Sequence, residues 1–99
     1  MGNEAPSAPA EPVGVYTVIM ATVEQMASIA WQKLGLQPDF LTGKIHKDLS
    51  EAKVAIDITT HLASFLEPKL DEEDKRRLHN LIRDLRTNFV QQSKETATA

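Results

Sequence analysis

From Val15 to Leu34 apolar residues recur at helical spacing, at Val15, Ile19, Val23, Met26, Ala30 and Leu34, with no Gly or Pro inside the run. Gly35 supplies a stop signal, so a long first helix is predicted. The segment Asp48-Leu49-Ser50-Glu51 has the form of a capping box. In that motif the Asp48 carboxylate accepts the amide of the third helical residue while Glu51 reaches back to the Asp48 amide. The second helix then runs to about Leu66, where Pro68 is expected to end it and to disfavour helical geometry at Glu67. Asp71-Glu72-Glu73-Asp74 places negative charge at the positive end of a third helix. Its apolar stripe is Leu78, Leu81, Ile82, Leu85 and Phe89, and helices 2 and 3 are expected to form an αα-hairpin. No stretch alternates polar and apolar residues long enough for a sheet, so the fold class is all-α, a three-helix domain.

The apolar stripes are wider than three helices need. At about 100° per residue, helix 2 spreads Leu49, Ala52, Val54, Ala55, Ile56, Ile58, Leu62, Ala63, Phe65 and Leu66 over roughly 220°. Only Lys53, Asp57, Thr60, His61 and Ser64 form a clean polar strip. Helix 1 carries two neighbouring apolar rows, Tyr16-Met20-Val23-Ala27-Trp31 and Val15-Ile19-Met26-Ala30. One row can face helices 2 and 3 while the other meets a partner. The expected contact surface is therefore drawn from Tyr16, Ile19, Met20, Val23, Met26, Ala27 and Trp31, with help from helix 2. A twofold homodimer uses the same surface on both chains, and a small domain gains most from such pairing. Between helices 1 and 2, the turn signals Pro38-Asp39 and Thr42-Gly43-Lys44 surround Phe40, Leu41 and Ile45. The favoured role for those three is pinning the loop to the core; the sharper alternative is an exposed anchor for a partner.

Composition narrows the classes of function. Ninety-nine residues hold one domain, expected over 13–90, with a disordered arm over 1–12 and a polar tail over 91–99 that frays. The absence of Cys excludes a disulfide framework and thiolate chemistry, and fits a cytoplasmic home. Polar residues such as Thr17, Thr22, Glu24, Gln25, Ser28 and Gln32 interrupt helix 1, so no membrane insertion is expected. His46, His61 and His79 share no metal-ligand spacing, and neither Gly43-Lys44-Ile45 nor the segment 39–50 completes a phosphate or calcium loop. Ser28, Ser50, Ser64 and the carboxylates form no catalytic constellation. The chain is read as a non-enzyme with no cofactor, acting as a helical interaction or assembly module. It is expected to form a homodimer, with a further, unidentified protein partner as an additional possibility. The alternative is a nucleic-acid-associated protein using Arg76, His79, Arg83 and Arg86 on helix 3. The net charge of −3 and the lack of interleaved aromatics make that the weaker reading.

The order of short motifs resembles the DUF1844 family, small bacterial proteins of uncharacterised function, over roughly Tyr16 to Val90. The similarity lies in Leu34-Gly35 followed by Pro38-Asp39 and Thr42-Gly43, then Asp48-Leu49, Ala52-Lys53 and Ile56-Asp57. It continues through Leu70-Asp71-Glu72-Glu73 to Leu81-Ile82, Leu85-Arg86 and Phe89-Val90. The resemblance implies a bacterial, all-helical protein and brings no activity, cofactor or catalytic residue.

Overall fold

The structure is a computed structural model that describes residues 11–98. Three α-helices follow one another: α1 (Val15–Lys33), α2 (Leu49–Leu66) and α3 (Glu72–Thr98), with a 3-10 turn over Glu67–Lys69 between the last two. No strand occurs among the described residues. The expected arm lies outside the described residues except for Glu11 and Pro12, which are exposed.

Each boundary has a local cause. Asp48 caps α2 by accepting the Glu51 amide at 3.1 Å, which is half of the predicted box. The other half is rerouted: the Asp48 amide donates to the Lys33 carbonyl at 2.8 Å, and the Glu51 carboxylate pairs with the Lys33 ammonium at 3.2 Å. The end of α1 thus stands where the reciprocal bond was expected and joins the two helices. Pro68 does not force Glu67 out of helical geometry, contrary to the sequence reading. Glu67 has φ −52° and ψ −44°, and the proline sits at the start of the 3-10 turn, where its missing N–H costs no helical bond. Leu70 is extended and ends the turn, and Asp71 caps α3 by accepting the Asp74 amide at 2.8 Å. Helix α3 also runs past the expected end at Val90, through Thr98. No Gly or Pro interrupts 72–98, and Gln91 donates to Glu95 one turn on, so the polar segment continues the helix.

The core sits in two clusters along the antiparallel α1/α2 pair. Near the α1–α2 loop, Ala27, Ala30 and Leu34 meet Ala52, Ala55, Ile56 and Leu85, with Met26, Trp31, Leu49, Leu81 and Phe89 packed around them. At the other end Val23 meets Ala63, Leu66 and Leu78, flanked by Ile19, Met20, Leu62, Leu70 and Ile82. Helix α2 lies between the other two, while α1 and α3 scarcely meet. Five of the eleven buried apolar residues are alanines, which let α1 and α2 approach closely but remove little apolar surface from water. The result is thin: the principal extents are 59 × 35 × 18 Å and the radius of gyration is 17.2 Å. A compact chain of this length would have a radius of about 13 Å.

Gly35 is the one glycine whose conformation the helix junction demands. It has φ +81°, and a Cβ there would stand 3.1 Å from the Lys47 Cβ. Gly35→Ala is expected to destabilise the fold by on the order of 1–2 kcal/mol, from the left-handed backbone and the tight approach together. A thermal melt followed by circular dichroism checks this; an unchanged midpoint would show that the loop relaxes freely.

Candidate interaction surface

Among the described residues, six large hydrophobic side chains are buried (Val23, Leu34, Ile56, Leu66, Leu78 and Leu85), while twelve are exposed. Scattered exposure is ordinary, but these fall into patterns. Helix α2 buries Ala52, Ala55, Ile56, Thr59, Ala63 and Leu66 and leaves a second stripe in solvent: Val54, Ile58 and Phe65, with Leu62 half-buried beside them. The His61 ring meets the Phe65 ring edge-on at 5.3 Å within that stripe. Helix α1 buries Val23, Ala27, Ala30 and Gln32 and leaves Val15 and Val18 exposed, with Ile19, Thr22, Met26 and Ile29 half-buried along the same side.

The two stripes share one face. Helix α3 reaches α2 through Arg86, which donates to Thr60 at 2.9 Å and to Asp57 at 3.4 Å. It lies beside α1 at Met20, Val23 and Glu24, which line a groove with Asp74, Leu78 and Leu81. At about 100° per residue, Val54, Ile58, Leu62 and Phe65 point away from that side of α2, and Val15, Val18, Thr22 and Ile29 point away from it on α1. The Lys33–Glu51 pair bridges the seam at the loop end of this same face. A shallow apolar groove lined by Val13, Val15, Val18 and Ile19 marks the other end. The α1 part is about 20 Å long at 1.5 Å per residue, and the face is two helices wide. Apart from the Lys33–Glu51 pair it contains no charged side chain.

The structure divides the residues expected to meet a partner. Val23 and Ala27 are 1% and 5% exposed and belong to the chain's own core, which removes them from that set. Met20 and Trp31 pack against the two core clusters. Tyr16 is exposed under the Lys69 ammonium, 5.0 Å from the ring centre. Ile19 and Met26 pack against the same two clusters and are half-buried at the edge of the open face. Met20, Val23, Ala27 and Trp31 of the first row thus face inward while Tyr16 does not; of the second row Val15 is exposed, Ala30 is buried, and Ile19 and Met26 lie between core and open face. The α2 members Val54, Ile58 and Phe65 were visible in the sequence only as part of an over-wide stripe.

The loop corrects a second expectation. Phe40, Leu41 and Ile45 do not cover the core: they are 70%, 81% and 56% exposed. Their loop satisfies its own backbone. Asp39 accepts the Leu41 and Thr42 amides at 2.8 and 3.0 Å, the Gly43 amide donates to the Asp39 carbonyl, and the buried Gln32 side chain accepts the Phe40 amide at 3.1 Å.

Two of the four residues of the basic flank, His79 and Arg86, are engaged by carboxylates outside α3, and Arg76 is exposed. Arg86 is held by α2, His79 Nε2 lies 2.6 Å from the Glu67 carboxylate, and Arg77 pairs with Glu73 and Asp74. Glu72 pairs with Lys75. Arg83 reaches only its neighbour Asp84, at 3.7 Å. Among the described residues no group of three His, Asp or Glu side chains is placed to hold a metal ion, and no helix is long and apolar enough to cross a membrane.

Three carboxylates are held below their ordinary range. Asp39 is lowered by the Thr42 and Leu41 amides, Asp48 by the Glu51 amide and the Ser50 hydroxyl, and Asp57 by the Lys53 ammonium with Arg86 beside it. A carboxyl whose folded pKa is depressed stabilises the fold above its unfolded pKa and loses that contribution as pH falls through the folded value. The melting temperature is therefore expected to decline on acidification below about pH 4. A flat profile there would show that the caps contribute no net stability.

The sequence profile of a family described as Domain of unknown function (DUF1844) matches residues 16–91. No curated protein and no solved structure matches the chain.

Proposed function

Because the chain belongs to the DUF1844 family, to which no activity is attached, we propose its function from its surface: a non-catalytic assembly module that pairs with a second copy through the open face of α1 and α2. The observation that carries this reading is the apolar face that α1 and α2 leave in solvent: Val15, Val18, Val54, Ile58 and Phe65, five of the twelve exposed large hydrophobics among the described residues, lie together on it without net charge. An uncharged apolar surface is complementary to itself, so a twofold axis sets no like charges against each other. The thin, alanine-rich core supports the same reading, since a small domain that buries little apolar surface alone gains stability by burying more against a partner. The nucleic-acid alternative finds less support, because Arg86 and His79 already have carboxylate partners.

The chain contains no Cys, so a single introduced thiol reports on one position. Ile58→Cys on the open face is expected to give a covalent dimer with a short bismaleimide. Ser28→Cys, on the polar side of α1, is expected to give none. Equal cross-linking from both positions would contradict the proposed face.

A further inference from the structure

The loop between α1 and α2 carries chemistry that the pairing of copies does not use. Residues 39–43 close a turn on themselves, with the Gly43 amide donating to the Asp39 carbonyl at 2.7 Å and the Asp39 carboxylate accepting the Leu41 and Thr42 amides. The Asp39 amide donates to the Lys44 carbonyl at 2.8 Å, and Gln32 ties the Phe40 amide back to α1. The tip is thus built by its own hydrogen bonds, and Phe40 and Leu41 stand at its apex, more exposed than any other Phe or Leu among the described residues. A preformed loop loses less conformational freedom on binding than a floppy one.

Charge says what this tip suits. Lys44, His46 and Lys47 follow it and are all exposed, with Ile45 exposed between them. The two acids of the segment are already engaged: Asp39 holds the turn, and Asp48 caps α2 and accepts the Ser50 hydroxyl. Asp39 and Asp48 stay ionised and balance Lys44 and Lys47, but both are half-buried in their hydrogen bonds while the two ammonium groups are exposed. An apolar apex followed by exposed cations complements the interface of an anionic bilayer. There, apolar side chains enter the boundary between headgroups and acyl chains while ammonium groups meet phosphate and carboxylate. We propose that this loop docks the protein on anionic lipid surfaces, with Phe40 and Leu41 entering the interface and Lys44 and Lys47 contacting the headgroups. No membrane-crossing helix is required. The docking does not depend on pairing, although two paired copies would present two loops and bind more tightly if both reach one surface.

Co-sedimentation of the full chain with phosphatidylcholine vesicles, with and without phosphatidylserine, tests the proposal. Binding to the anionic vesicles is expected, with little binding to the neutral ones and weakening as salt rises. Phe40→Ser with Leu41→Ser is expected to lower the vesicle affinity by at least about tenfold, because both apolar side chains lose their contact with the interface. Helicity should be retained, since the turn is held by backbone groups, Asp39 and Gln32. Lys44→Gln with Lys47→Gln, which leaves the turn intact, is expected to lower affinity for the anionic vesicles by about tenfold or more. Failure to sediment with anionic vesicles would overturn the proposal. So would sedimentation indifferent to both double variants.

Discussion

Replacing Val23 with glutamate is expected to unfold the protein, and not merely to separate two copies of it. Val23 is 1% exposed and packs with Ala63, Leu66 and Leu78 where all three helices converge. A carboxylate there would lose its hydration, and Arg77, the cation that lines the groove beside it, is already paired with Glu73 and Asp74, so the cost is several kcal/mol. Total stabilities of small domains are only about 5–15 kcal/mol, and this core is thin, so most of the margin disappears. Circular dichroism at neutral pH should show the loss of helical signal; a folded Val23→Glu chain would mean that α1 can rotate its core row away from α2 and α3.

The complementary change should do the opposite. Val18→Glu combined with Ile58→Glu puts charge on two side chains that are 49% and 39% exposed, on the open face of α1 and α2. Neither lies in a core cluster, so the helical signal and single-chain fold should persist. In a twofold contact each substitution acts twice, and like charges in a desolvated interface cost several kcal/mol. The dimer affinity is therefore expected to fall by at least about a hundredfold, read as a drop in mass on dilution by sedimentation equilibrium. Unchanged association by this variant would place the contact elsewhere.

What the sequence revealed and what it concealed divide along one line, between local and tertiary causes. The Asp48 cap and the acidic start of α3 depend on residues within one turn, and the structure places both as the motifs imply. The rotation of α1 about its own axis depends on where α2 and α3 lie, and its two apolar rows look alike in sequence. The alanines at 27, 30, 52, 55 and 63 were the available signal, because small residues mark where helix backbones approach closely. The reciprocal capping bond failed for a tertiary reason too: the Lys33 carbonyl and ammonium take the Asp48 amide and the Glu51 carboxylate. The exposure of Phe40 and Leu41 was concealed because large apolar residues in a loop ordinarily imply a core to pack on. Asp39 and Gly43 let this turn close without one. The extension of α3 to Thr98 shows the same limit in reverse, since a polar segment without Gly or Pro can continue a helix already nucleated by packing upstream.

The central claim is that the open face of α1 and α2 is covered by a second copy. Static light scattering on the purified wild-type chain at micromolar concentration measures this directly. The predicted result is a particle of twice the 11.0 kDa chain mass, fully helical and without larger species. A stable, helical particle of 11.0 kDa at that concentration would contradict it.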